Sequence, residues 1–370
     1  AAAIEACAST GGTLMPPIMG AVAFIMASFL GVPYSEIIIA AFLPALLFYL
    51  ALIFQVDIYA AKRGLKGMPE ADIPSLKETL KDGWPYLFSL VMLIYMLLFM
   101  RLEAYAPYYA TVVLLGISMF KRRHRLNLKR ALAFIMDLTT SVSNLVAILA
   151  GIGLVVGGLS YTGVAGAFSR ELLLYADGSI PLMLAAGAVT SFVLGMGMTV
   201  SACYIFLSIL LAPALVNAGL NPLASHLFIL YWGMMSYITP PVALAAITAA
   251  GVAGANASKT GLYAMRLGGI LFILPFLFVL NPSLILQGAL GNILVSVVTA
   301  VTAIWLMASA MEGYLYRVGV LVWPLRVLVM TSGVVLIYPD IVTDVIGFGL
   351  IGLIYAWHRW VRRPISLESS

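Results

Sequence analysis

Apolar runs of membrane-crossing length follow one another from Ala1 to His358, separated by short turns that carry most of the charge. A crossing helix needs about 20 such residues, because hydrocarbon offers peptide groups no partner and the helix must satisfy its own. Runs of this kind fall at 1–28, 36–57, 85–103, 104–120, 131–159, 223–256, 261–281, 289–310, 318–337 and 341–358. The stretch 181–216 is different. Its two apolar arms meet at Gly195-Met196-Gly197-Met198-Thr199-Val200-Ser201, too rich in glycine and hydroxyl for the middle of a crossing helix. It predicts a re-entrant hairpin that returns to its own side. The fold class that follows is an all-α polytopic membrane protein. Composition closes the soluble alternative: the chain is 63% hydrophobic and 9% charged, where a soluble domain carries about 25% charged residues.

Charge then orients the spans. Lys62, Arg63, Lys66, Lys77 and Lys81 fill the loop 58–84, and 121–130 reads Lys-Arg-Arg-His-Arg-Leu-Asn-Leu-Lys-Arg. Lys259 and Arg266 flank a third turn, Arg317 a fourth, and Arg359, Arg362 and Arg363 follow the last span. With the hairpin returning to its own side, all of these share one face, which the positive-inside rule makes cytoplasmic. Of the 20 basic residues, only Arg101 and Arg170 fall opposite, and Arg326 is ambiguous. The net charge of +5 is thus a topology signal, not a sign of nucleic-acid binding. Cys7 and Cys203 sit in apolar stretches as small core residues, and His124, His226 and His358 show no ligand spacing. Glu5, Asp137 and Asp344 are the candidates for charge within the membrane, each near the end of its span, where an interfacial role is the plainer reading. Glu70, Asp72, Glu78 and Asp82 alternate with lysines as on a solvated surface.

The most informative feature is an internal repeat. Ser9-Thr10-Gly11-Gly12-Thr13-Leu14-Met15-Pro16-Pro17 has its counterpart in Gly233-Met-Met-Ser236-Tyr-Ile-Thr239-Pro240-Pro241. In each copy the Pro-Pro is followed by small and apolar residues, a polar turn and a further span. On the topology above the two copies run in opposite directions. Inverted repeats with discontinuous helices are the organisation of secondary transporters that bind cargo at the membrane midplane.

Each Pro-Pro removes two N–H donors and frees the carbonyls one turn earlier, around Gly12–Met15 and Ser236–Thr239. Such carbonyls persist in a membrane only where they line a cavity or bind something. With the hydroxyls of Ser9, Thr10, Thr13, Ser236 and Thr239 they form oxygen-rich, carboxylate-free groups, which suit a monovalent cation such as Na⁺ better than Ca²⁺ or Mg²⁺. The half-helix N-terminus at each break offers N–H groups to an anion. A lone Pro-Pro is more often a packing kink. Two inverted copies, with a Gly/Thr/Ser tip ahead of the second, favour a site. Its candidate residues are Ser9, Thr10, Gly11, Gly12, Thr13, Pro16 and Pro17 from the first copy, and Ser236, Thr239, Pro240 and Pro241 from the second. Gly195, Gly197, Thr199 and Ser201 join them from the tip. Gly12, Thr13, Thr199, Ser236 and Thr239 are the Na⁺ candidates.

At these residues the chain resembles the fused permeases of tripartite ATP-independent periplasmic (TRAP) transporters, TAXI type. The resemblance rests on Glu5-Ala-Cys-Ala-Ser-Thr-Gly-Gly-Thr-Leu-Met-Pro-Pro-Ile-Met-Gly20 and on Phe24 through Tyr34. In the second half it rests on Leu211-Ala-Pro-Ala-Leu-Val216, Ile238 through Ala246, Ala253-Gly-Ala-Asn256 and Ala264-Met-Arg-Leu-Gly268. It implies a Na⁺-driven importer in a bacterial or archaeal inner membrane, with an extracytoplasmic binding protein delivering an organic anion, typically a carboxylate, to an elevator-type domain. At the tip Gly195, Gly197, Thr199 and Ala202 keep the family's pattern, while Met198 stands where proline is usual. The family's first hairpin and the small membrane subunit fused ahead of it would precede Ala1. The chain therefore reads as the later, N-terminally incomplete part of a longer protein that does not transport by itself.

The organisation expected is 1–57 as the end of the first repeat, 58–130 as basic loops and scaffold spans, 131–285 as the second repeat and 286–370 as extra C-terminal spans. Na⁺ would bind at 9–13 and at 236–239 with the tip 195–201, and the substrate carboxylate between the tips. A passive anion channel could share the repeats. An intramembrane enzyme would want a His-Glu-x-x-His, a Ser-His pair at depth or facing aspartates, which the spans lack. Gly254 through Thr260 resembles a P-loop, but Ser258 stands where the second glycine is needed and no strand precedes it.

Overall fold

The computed structural model describes residues 1–69, 72–120, 127–338 and 340–361. Glu70, the basic segment 121–126 with His124, and Arg362 and Arg363 lie outside the described residues. The first broken helix consists of α1 (Ala2–Gly11) and α2 (Ala21–Leu30), separated by an irregular stretch. Gly31 ends α2 in the left-handed conformation at φ 64°, and Pro33 leads into α3 (Tyr34–Arg63). At 30 residues α3 is about 45 Å long, more than the hydrocarbon thickness requires. Lys62 and Arg63 in its last turn offset the helix dipole, and Gly64 caps it at φ 64°.

An antiparallel pair follows, α4 (Leu76–Leu98) and α5 (Ala106–Phe120). Helix α4 starts at Leu76, not at the expected 85. Leu76, Leu80, Trp84 and Phe88 recur one turn apart, so the lysines and acids between them decorate a helix face and not a loop, and Pro85 sits inside the helix. Helix α6 (Leu128–Tyr161) is long and largely exposed, carrying Asp137 on its outside, and α7 (Val164–Tyr175) is a short helix in a stretch read as a connection.

The hairpin is present: α8 (Ile180–Gly195) and α9 (Val200–Leu210) pack side by side and turn at 196–199. The short α10 (Ala212–Asn217) leads to the second broken helix. Its halves are α11 (Pro222–Met234), continued by a 3₁₀ turn at Met235–Tyr237, and α12 (Leu244–Ala253). Helix α11 is the centre of the core, buried along nearly its whole length. Asn221 caps it by accepting from Ala224 N.

Next come α13 (Ala257–Leu267) and α14 (Leu274–Leu280), expected as one span over 261–281 but bent by 59°. Two contacts stabilise the corner. Gln55, fully buried on α3, donates from Nε2 to the Leu267 carbonyl at 2.6 Å, and Gly268 lies so close to Ile238 that a Cβ would meet its Cδ1 at 2.3 Å. The final group is α15 (Leu290–Glu312), the strands β1 (Tyr314–Leu315) and β2 (Gly319–Val320), α16 (Trp323–Val335) and α17 (Ile341–Val361). The span expected at 318–337 is thus shorter, because Gly313, Arg317 and Gly319 take positive φ and fold 314–320 into a hairpin. Tyr316 in this hairpin donates to Asp57 of α3 at 2.9 Å, and that bond raises its phenol above the usual pKa. Helix α15 packs along both α3 and α16.

Among the described residues four single helices are long and apolar enough to cross a membrane: α3, α6 over Leu128–Leu159, α15 and α17 over Ile341–His358; the bent pair α13–α14 makes a fifth. Both cysteines are free and buried, as core residues should be. His226 is also a core residue, its Nδ1 lying 2.7 Å from the Tyr204 hydroxyl.

Candidate site at the crossed breaks

The two broken helices lie against each other head to tail. Helix α1 packs on α12 and α13, while α2 touches α11, so each first half meets the other copy's second half. This packing also brings the first break to the end of α11, where Thr13 Oγ1 lies 3.9 Å from Met234 Sδ; farther from the breaks, Cys7 Sγ of α1 donates to the Ala264 carbonyl of α13 at 3.2 Å. Both Pro-Pro peptide bonds, 16–17 and 240–241, are cis.

The carbonyls one turn before each proline pair divide into two sets. Gly11 O accepts from Leu14 N and Met15 N, Met15 O from Ile18 N, and Ser236 O and Thr239 O both accept from Ala243 N. Among the described residues nothing donates to the carbonyls of Gly12, Thr13 and Leu14, nor to those of Tyr237 and Ile238. The ring of free oxygens is therefore narrower than the sequence implies, because Ala243 folds back at φ 42° to close the second break.

The hydroxyls mostly donate to their own helix. Thr10 Oγ1 bonds Ala6 O at 2.7 Å, Thr13 Oγ1 bonds Thr10 O at 2.9 Å and Thr239 Oγ1 bonds Met235 O at 2.8 Å. A hydroxyl whose proton is held this way presents only lone pairs outward, which is what a cation requires. Ser9, exposed, donates to Glu5 at 2.9 Å.

The tip of the hairpin docks on the second break. Ser236 Oγ, fully buried, donates to Gly195 O at 2.8 Å across 41 positions of sequence. At the same place backbone meets backbone: a Cβ on Gly195 would stand 2.2 Å from Gly233 O. Gly197 has only a backbone atom at 3.9 Å and stays exposed. Thr199 caps α9, accepting from Ala202 N at 3.3 Å. Ser201 lies in the first turn of α9, and no hydrogen bond among the described residues joins Thr199 or Ser201 to Ser236 or Thr239. Gly11 is buried where a Cβ would meet Phe48 at 2.4 Å, so it serves packing against α3. Pro17 accepts from Tyr34 OH at 2.9 Å, which ties the first break to the start of α3. Pro16 and Pro240 are half-buried and Pro241 exposed.

Three residues of this region carry signals that the motifs do not include. Ser191 is fully buried on α8 with its hydroxyl unpartnered among the described residues, one turn before Gly195 and so on the same face. The Tyr231 hydroxyl and the Trp232 indole N–H are likewise buried on α11 without hydrogen-bond partners among the described residues. The helical spacing from Gly195 could have found Ser191; nothing in the local pattern marks Tyr231 or Trp232.

Helices broken at matched points, packed at their breaks inside a bundle of apolar helices, make this an all-α polytopic membrane protein, and broken helices of this kind recur in secondary transporters. Residues 1–293 match the family described as Tripartite ATP-independent periplasmic transporter, DctM component. The chain belongs to that family and is a multi-pass membrane permease of the TRAP type. No curated protein matches it. Helices α16 and α17 lie beyond the matched residues.

Proposed function

We propose that the chain works as the permease of a Na⁺-coupled importer of organic anions, carboxylates foremost. Its substrate would come from an extracytoplasmic solute-binding protein of TAXI type, with a small membrane subunit as a further partner, in a prokaryotic inner membrane. The observation that carries this reading is the crossing of the two breaks, with free carbonyls at Gly12–Leu14 and Tyr237–Ile238 and hydroxyls whose protons point inward. Na⁺ takes its ligands from Gly12 and Thr13 on one side and from Thr199, Ser236 and Thr239 on the other. The carboxylate lies between them, near the half-helix N-termini. Residues 1–57 and 131–285 form the two repeats, whereas the spans in 85–120 and 286–358 hold the static frame. Bound Na⁺ closes the tip over cargo, and the repeats then slide as an elevator; without it, bare carbonyls make the crossing costly.

Thr239→Val and Thr199→Val test the ion assignment. Valine keeps the shape of threonine and removes the hydroxyl. Loss of a ligand oxygen should raise the Na⁺ concentration needed for half-maximal uptake about tenfold or more, the usual effect of losing one bond to a charged group. Thr199→Val also removes a helix cap and should cost about 1 kcal/mol of stability; Thr239→Val should cost less. Equal losses of Na⁺ activation and of thermal stability in Thr239→Val would sink the assignment.

A further inference from the structure

Away from the crossed breaks, three cations from three distant segments gather on the C-terminus of α15. Lys62 of α3 donates to Glu312 O at 2.6 Å. Arg266 of α13 donates from Nη2 to Met311 O at 3.0 Å and to Glu312 Oε2 at 2.9 Å. Arg326 of α16 donates to Ala310 O and Met311 O. Gly313 sits between them, with a Cβ position 3.4 Å from both the Arg326 guanidinium and Lys62 Nζ. Arg326 thus lies beside Lys62 and Arg266, which the charge pattern assigns to the cytoplasmic face.

The charges do not balance. Lys62, Arg266 and Arg326, with Arg63 also close enough to act on it, face one buried carboxylate, Glu312, and a helix C-terminus equivalent to about half a negative charge. Positive charge is left in excess. One Nη nitrogen of Arg266 and one of Arg326 have no acceptor among the described residues. Arg266 is 42% exposed, so this excess is open to a ligand.

Beside the two arginines runs a groove of about 410 Å³ between α13, α15 and α16. Trp323 stands at its mouth, 72% exposed and 5.9 Å from the Arg326 guanidinium, and Val327 and Met330 continue it as an apolar wall along α16. The sequence of features, with cations first, then an indole and then aliphatic side chains descending one helix, follows a phospholipid from headgroup to acyl chain at an inner-leaflet interface.

We propose that this groove is a site for an anionic phospholipid, its phosphate on Arg266 and Arg326 and one chain against Val327 and Met330. The lipid is shared between α13 of the second repeat and α16, which lies beyond the matched residues 1–293. It joins the two parts by a contact that neither makes alone.

The test is native mass spectrometry of the delipidated full chain, titrated with phosphatidylglycerol or phosphatidylcholine, with glycerol phosphate as the tailless competitor. The site predicts one saturable phosphatidylglycerol adduct that phosphatidylcholine does not form and glycerol phosphate does not displace. Arg266→Gln should weaken it about tenfold or more. Val327→Trp, at an exposed position, should block the groove to a similar degree while keeping every cation and the fold, checked by circular dichroism. Equal binding of the two lipids, or retention in Val327→Trp, would overturn the lipid site. Displacement by glycerol phosphate would overturn it in favour of a free-anion site.

Discussion

Replacing Gly195 with valine is expected to abolish uptake, while Gly197→Ala leaves it near the wild-type rate. The two glycines sit two positions apart in one motif, yet the structure gives them different work. At Gly195 the hairpin touches α11 backbone to backbone, and even the first carbon of a side chain would stand 2.2 Å from Gly233 O. The obstacle is main chain in the last turn of the buried helix α11 and cannot rotate away as a side chain could. To restore ordinary contact the tip must withdraw by roughly 1 Å. That breaks the 2.8 Å bond from Ser236 to Gly195 O and opens the interface over which the ion is proposed to close. Overpacking of this kind costs about 1–3 kcal/mol, and a misplacement of 1 Å at a reacting site can slow turnover about a hundredfold. Gly197 has no such neighbour and takes a negative φ, so alanine fits. The comparison is made by uptake rate at saturating Na⁺ for both variants. Equal loss in the two would mean that the tip needs glycine for flexibility, and would remove close packing as the explanation.

Glu312→Leu is expected to destabilise the C-terminal helices more than any substitution on their lipid-facing surface. The carboxylate is 2% exposed and faces Arg266, with Lys62 and Arg326 on the adjoining carbonyls. Removing one partner of a fully buried pair costs about 3–5 kcal/mol. Arg266 is partly solvated, so the loss here should be about 2 kcal/mol. It should appear as a lower melting midpoint in detergent. Arg266→Leu combined with Glu312→Leu should recover part of it, because the double change removes the cation that Glu312 pairs directly, while Lys62 and Arg326 keep their bonds to the helix carbonyls. A midpoint unchanged in Glu312→Leu would show that the cluster behaves as an ordinary surface ion pair.

The parts of this fold that could be read from sequence are those with a local chemical cause. Pro16-Pro17 and Pro240-Pro241 must interrupt a helix wherever they fall, and Gly195 through Ser201 must turn. What escaped depends on partners far along the chain. The bend at Gly268 has no proline at the corner; it is held by Gln55 of α3 and by the approach of Ile238. The carbonyls of Ser236 and Thr239 looked free, because the return of Ala243 N could not be read from the prolines. The early start of α4 was hidden by lysines and acids that occupy one face of a helix. Of the candidate residues, Ser236 and Thr13 are placed at the crossing, and Gly11 serves packing. The close approach of Gly195 to Gly233 is written in neither segment alone.

The central claim is coupling, and the direct measurement is uptake of radiolabelled dicarboxylates and 2-oxoacids into proteoliposomes. These would hold the complete permease with its small subunit, and an inward Na⁺ gradient would be compared with an equal K⁺ gradient, each with and without the binding protein. The account predicts accumulation only when Na⁺ and the binding protein are both present. Uptake that proceeds equally in K⁺, or that only equilibrates the substrate without the binding protein, would contradict it and describe a passive pore.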